Sequence, residues 1–182
     1  MYKIDTNFHY TDDAGGMENT HQKIYQWMMK ELEKEDFYQE LINEYRAIDY
    51  TIGCHILFPK NNNLSNPKSW SINQERGINP KICDRFDLTL ECIRRFYQDE
   101  ESPLYDKFKE NKYFFDLFEN FEHYVDFFYL NDLLINNDYS KINFFLPFDE
   151  FERSPKPQNT TEWKIFCEKQ IEFIKARNKR IK

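Results

Sequence analysis

The chain has 182 residues, of which 40% are hydrophobic and 31% charged, with a formal net charge of −7. That length fits a single domain over 1–182, and only 4 Gly against 18 Phe and 12 Tyr favour helix over a turn-rich β architecture. An acidic chain is repelled by a phosphate backbone, which disfavours nucleic acid, and no apolar run approaches the ~18 residues of a membrane span.

Residues 1–17 read as an extended N-terminal arm ending in Gly15-Gly16. The arm lacks the basic and apolar regions of a signal peptide, so a cytoplasmic location is expected. A helix is predicted from about Asn19 to Lys34, with Ile24, Trp27, Met28 and Leu32 inward. A second runs from Phe37 to about Ala47, with Leu41, Ile42 and Tyr45 inward. Its acids, from Glu31 to Glu44, make a solvated negative face.

Tyr50–Phe58, YTIGCHILF, is the best strand candidate, rich in β-branched and aromatic residues and stopped by Pro59. A loop covers Asn61–Asn66. Trp70–Asn73 reads as a short second strand. Asn79 with Pro80 reads as an N-cap followed by proline at the first helical position, opening a helix to about Tyr97.

Ser102-Pro103 repeats that start signal, and helix continues to about Leu134 with a break near Asn120. Nine of the seventeen residues from Tyr113 to Tyr129 are aromatic. They read as core, because acids rather than cations interleave them. Lys141–Leu146 is a third strand candidate. Asn159 with Glu162 three residues on opens a last helix to about Lys179, whose cations Lys175, Arg177, Lys179, Arg180 and Lys182 suit a helix C-terminus. The fold class is therefore α+β, mainly helical, with a small antiparallel or mixed sheet of about three strands.

Cys54, Cys83, Cys92 and Cys167 have no C-x-x-C spacing, and no His has metal-ligand spacing, so neither a metal nor a cofactor is expected. His55 beside Cys54 is a candidate site residue on the strand; a nucleophile pair there needs a spatial neighbour.

The densest chemistry lies between Trp70 and Tyr97. At about 100° per residue, Ile82, Phe86, Leu90 and Ile93 share a broad apolar face. Asp84, Asp87, Glu91, Arg94 and Arg95 share the remaining arc, and Arg85 falls on the apolar flank. Glu91 is placed to pair with Arg94 and Arg95. Asp87 and Glu91 repel unless a cation bridges them, and Arg76 or Arg94 is placed to do so. In the turn Asn73–Gly77, Gly77 permits a positive φ, and Asn73 and Arg76 would face the helix start.

Two readings stand side by side. In one, Asn73, Arg76, Arg85, Arg94, Arg95 and His55 line a pocket for a small anionic ligand, a nucleotide or phosphate ester. Arg76 would be its clamp, and Glu91 or Asp87 its acid or base. Nucleotide-linked transfer, ADP-ribosyl transfer included, would be its reaction class. In the other, the chain is a non-enzymatic interaction module for a protein partner or a second copy, and the charges form a structural salt-bridge network.

The segments TIGCHILFP, SINQERG, ICDRFDLTLECIRRFY, SPL, FFDLFENFEHYVDFFYLNDL, INFFLPFDEF and ARNKRI resemble an uncharacterised, mostly bacterial family of domains of unknown function. The resemblance spans about Thr51 to Ile181, with a weaker similarity over IDTNFHYTDD. It implies that Arg76, Arg85, Asp87, Glu91, Arg94 and Arg95 belong to a family pattern, and it supplies no chemistry.

Overall fold

The computed structural model describes residues 26–59 and 71–181. The expected arm at 1–17, the start of the first helix, the loop at 61–66 and the Trp70 end of the second strand lie outside the described residues. Eight α-helices occur among the described residues: α1 Gln26–Leu32, α2 Asp36–Arg46, α3 Ile72–Ile78, α4 Phe86–Tyr97, α5 Tyr105–Glu110, α6 Lys112–Phe115, α7 Phe121–Phe127 and α8 Thr160–Arg180. A two-stranded antiparallel hairpin, β1 Leu134–Ile135 and β2 Asp138–Ile142, completes the fold. The domain is mainly helical with a small sheet, as its composition predicts. Two strands are present among the described residues, where about three were expected.

The core is built around α4 and α8. Every residue of α4 from Phe86 to Ile93 is buried, so this helix is central. It packs against α5, α7 and β2. The 21-residue α8 is the other axis: α1, α2 and a 3-10 turn at Ile52–Cys54 all lie against it. Trp163, Phe166, Cys167, Ile171, Phe173 and Ile174 form its buried stripe. Phe86 of α4 meets Phe173 of α8 with ring centroids 5.2 Å apart. Truncating a buried Phe such as Phe86 to Ala costs about 3–5 kcal/mol in cavity and lost transfer energy.

The aromatic segment at 113–129 is core on its inner side. Phe114, Phe115, Phe121, Tyr124 and Phe128 are buried, and Phe115 stacks edgewise and tilted on Phe108, Phe96 and Tyr97. The helix expected from Ser102-Pro103 to about Leu134 is instead three short ones: Ser102 does not cap α5, which starts at Tyr105 behind Leu104, and α7 ends at Phe127, ahead of a 3-10 turn at Asn131–Leu133 and of β1 at Leu134. The break near Asn120 is present, and the Asn120 side chain caps α7 by accepting from the His123 N–H at 2.9 Å. Asn159 likewise caps α8 by accepting from the Glu162 N–H at 2.9 Å.

Three more expectations are corrected. Tyr50–Phe58 is not a paired strand. The chain makes the turn at Ile52–Cys54 and then runs extended, without a ladder partner among the described residues. Second, the segment from Ile72 is helix, not strand. Ser71 and Gln74 form a reciprocal capping box that starts α3. Third, Asn79-Pro80 does not open a helix. Asn79 closes α3 as its C-cap, its Oδ1 accepts from the Lys81 N–H at 3.0 Å, and a turn follows to Asp84. Cys83 and Asp84 have φ of 46° and 61°, which no α-helix passes through, so α4 starts only at Phe86.

The third strand candidate is half right. β2 ends at Ile142, and 143–146 leaves the sheet. Asn136 and Asn137 join the strands with φ of 55° and 57°, the left-handed pair that a two-residue hairpin requires and asparagine tolerates.

A buried charge lattice as candidate functional site

α3 and the turn behind it deliver Arg76, which is 0% exposed. All three of its guanidinium nitrogens donate. Nε reaches Thr89 Oγ1 at 2.8 Å, Nη1 reaches Asn73 Oδ1 at 3.2 Å, and Nη2 reaches the Asp84 carbonyl at 3.4 Å and its carboxylate at 3.3 Å. Its guanidinium also lies over the Phe58 ring, 5.7 Å from the centroid. Asn73 and Arg76 thus do face the start of α4. Gly77 has no positive φ and sits inside α3, so the conformational freedom expected of it is unused.

Arg85 is the N-cap residue of α4, outside the helix instead of on its flank. It is 5% exposed and Asp87 is 0% exposed. Arg85 Nε donates to Asp87 Oδ1 at 3.0 Å, Nη2 donates to Oδ2, and Nη1 donates to the Pro155 carbonyl at 2.8 Å. Asp87 Oδ2 also accepts from the Phe145 N–H at 2.8 Å. Arg85 therefore neutralises Asp87, where the spacing pointed to Arg76 or Arg94. Asp87 also lies in the first turn of α4, so its carboxylate occupies the anion-favouring end of the helix dipole.

Glu91, 3% exposed, makes the pairs its spacing predicts. Arg94 donates to both of its oxygens at 2.8 Å, and Arg95 Nε donates to Oε1 at 2.7 Å. Arg95 continues to Glu150 and lies over Phe151, 5.1 Å from the ring centroid. The Glu91 hydrogen bonds raise the Arg94 pKa despite partial burial. Burial lowers that of Arg95, but Glu91 and Glu150 outweigh it and the net shift is upward. Burial pushes the Cys92 thiol on the same helix up to about 12.

His55 belongs to a second network, at the other end of α8. Its Nδ1 lies 2.8 Å from the Thr51 carbonyl. Arg177, 3% exposed, donates to the carbonyls of Phe128, Gly53 and His55 at 2.9, 3.1 and 2.6 Å. Asn178 accepts from the Gly53 N–H at 2.8 Å and donates to Thr51 Oγ1 at 2.7 Å. Cys54 turns to Tyr45, with Sγ 3.5 Å from the hydroxyl. Reading Arg177 as one of the cations of a helix end missed this role. The signal lay in its spacing, since Arg177 follows Cys167, Gln170 and Ile174 along the buried stripe of α8.

Both networks do the same physical work. The chain around 53–58 and 143–146 runs outside the hairpin, and its backbone groups need partners. Asp87 satisfies the buried N–H of Phe145, and Arg177 and Asn178 satisfy Gly53 and His55. Lys81 does the same for the Phe151 carbonyl at 2.6 Å, and Lys169 for that of Phe144 at 2.7 Å. Side chains, Arg177 and Asp87 buried and Lys81 and Lys169 half-buried, take bonds that a ladder would otherwise supply. Among the described residues, no group of three or more His, Cys, Asp or Glu could hold a metal ion, and no helix is long and apolar enough to cross a membrane.

Comparison with known families matches residues 3–181 to a family of unknown function, DUF6994. The chain belongs to this family. The DUF6994 match extends through the N-terminal third, beyond the segments that carry the resemblance in sequence. Comparisons with curated proteins and with solved structures found no match. In this DUF6994 chain the two networks join those quoted segments to one another: SINQERG to ICDRFDLTLECIRRFY through Arg76, that segment to INFFLPFDEF through Asp87 and Arg95, and TIGCHILFP to ARNKRI through Arg177 and Asn178.

Proposed function

We propose that this DUF6994 chain is a non-enzymatic protein-interaction module of the cytoplasm, in which the charged cluster is a structural lock. The observation that carries this reading is the consumption of the candidate clamp and acid by the chain's own groups. Each nitrogen of Arg76 and Arg85 and each oxygen of Asp87 has an internal partner. Both oxygens of Asp87 are occupied by Arg85, and a ligand at Arg76 would have to displace buried bonds. The outer side of the aromatic segment is the face left for a partner: Tyr113, Leu117 and Phe127 are exposed. Four free cysteines suit a reducing compartment.

A small anion, nucleotide or phosphate ester, retains one supporting observation. Arg94 and Arg95 are each 16% exposed at the side chain, and Glu150, which shares Arg95, is 71% exposed. An anion displacing Glu150 would find an arginine fork there.

Urea denaturation of Asp87→Asn and Arg76→Met, with a thermal-shift screen of nucleotides and phosphate esters, tests the two readings together. The lock predicts losses of about 3–5 kcal/mol for each variant, because each leaves a buried partner uncompensated, and no ligand shift. A nucleotide that raises Tm in the wild type, with the rise lost in a well-folded Arg76→Met or Arg95→Met, would establish the ligand reading instead.

A further inference from the structure

The exposed aromatic face has a chemistry of its own, set by what surrounds it. Phe127 is 62% exposed, Leu117 64% and Tyr113 56%. Phe127 lays its ring on Phe118, with centroids 5.2 Å apart. Phe118 is the chain neighbour of Leu117, and Tyr113 lies in α6, which ends at Phe115 just before Leu117. Phe118 is anchored from beneath. Phe118 contacts Phe114, Tyr124 and Phe128 at 5.7, 5.2 and 5.5 Å, and all three are buried. The face is therefore preorganised, and docking on it costs little ordering of its own side chains. Large apolar residues clustered on a rigid surface are the usual anchors of a protein interface.

The rim carries one sign of charge. Asp116, Glu119, Glu122 and Asp126 are all exposed, Lys112 is paired to Asp116, and His123 lies 3.6 Å from Glu119. Asp126 is held in place by Asn131 at 2.7 Å and by the Tyr139 hydroxyl at 2.9 Å. Such a rim repels nucleic acid and an anionic membrane, and on a chain of net charge −7 it also disfavours a second copy. It favours apolar side chains flanked by Lys or Arg.

We infer that the face formed by Tyr113, Leu117, Phe118 and Phe127 receives a basic amphipathic segment of a partner protein, its apolar side on the rings and its cations on the acidic rim. The inference rests on the interaction-module reading above and names the partner's chemistry. Complementary rim charge would speed encounter and reject acidic partners, while the rings would hold the complex.

The probe is a fluorescein-labelled synthetic amphipathic helix of Leu and Lys, with a twin carrying Glu at every Lys, titrated by anisotropy against the intact chain. The Lys peptide should bind and the Glu twin should not. Leu117→Ser with Phe127→Ser should weaken binding by about tenfold or more, and Glu119→Gln with Glu122→Gln several-fold, with circular dichroism and Tm of the wild type retained. Equal binding of the Lys peptide to wild type and the Leu117/Phe127 variant overturns the inference, since bulk acidity then suffices. If instead the Glu twin binds better and needs Leu117 and Phe127, the partner chemistry is wrong and the interaction face stands. Concentration-dependent dimers by light scattering, abolished in the same variant, would put a second copy on the face. If neither peptide binds and scattering shows a monomer, both the inference and the interaction-face reading fail.

Discussion

Arg85 and Glu91 show at the residue scale what spacing reveals and what it hides. Glu91 pairs with Arg94 and Arg95 because neighbours three and four apart on a helix must meet. That much is legible in the sequence. The partners of Arg85 and Asp87 include Pro155 and Phe145, which lie far along the chain, and no local rule brings them together. Gly77 was misjudged for a related reason. A glycine in a polar stretch suggests a turn, but the capping box at Ser71 makes the stretch helical, and a Cβ at Gly77 would meet nothing within 4 Å. Gly77→Ala should therefore stabilise the protein by about 0.5–1 kcal/mol through helix propensity alone. A denaturant midpoint that falls on this substitution would show that the glycine has a role this geometry lacks. Gly53 is the opposite case: a Cβ there would meet the Ile174 carbonyl at 2.7 Å, so the close approach of α8 requires glycine.

Among the elements, the start signal holds at Asn159 and fails at Asn79-Pro80 and Ser102-Pro103. Asn120 and Asn159 start α7 and α8 because a short polar side chain satisfies an otherwise orphaned N–H, a local effect. Asn79 carries the same signal and sits in a turn, because the left-handed Cys83 and Asp84 stop any helix through them. The apolar run at 50–58 is extended after its turn at Ile52–Cys54, and that at 141–146 leaves β2 after Ile142, because whether an extended run pairs with another strand is a tertiary matter. Here polar side chains from α4 and α8 take the backbone bonds. The start of α8 also carries a pH dependence. Burial raises the Glu162 pKa, but hydrogen bonds from Arg153 and the Gln158 N–H outweigh it, so the carboxyl lies below its ordinary 4.5. A folded pKa below the unfolded one gives stability that is complete above about pH 4.5 and is lost as pH falls through the folded value. Urea midpoints should thus decline on acidification, and Glu162→Gln should make that decline shallower. Parallel wild-type and variant profiles would refute the assignment.

For the molecule as a whole, one buried cluster running from Met28 to Ile174 protects three of the four thiols. Cys54, Cys92 and Cys167 are fully buried and Cys83 is half-buried. Burial raises the Cys167 thiol well above its ordinary value. It raises Cys83 too, against the opposing charge of Lys156. Reaction with a disulfide reagent at about pH 8 should modify Cys83 first and the other three only at the rate of global opening, with all four reacting in guanidinium. More than one fast thiol in the native protein would contradict this packing. The sequence by itself determined the mainly helical class, the Asn159 cap, the central place of the 86–97 segment and the Glu91 pairs, because propensity, amphipathic period and short-range spacing are local. Only the tertiary structure decided that the segment after the Ile52–Cys54 turn has no ladder partner among the described residues, that the chain leaves the sheet after Ile142, that Arg85 serves Asp87, and that Arg177 is a buried clamp. A backbone group or a buried charge takes whichever partner the packed elements bring within hydrogen-bond reach, and that partner need not be near in the chain.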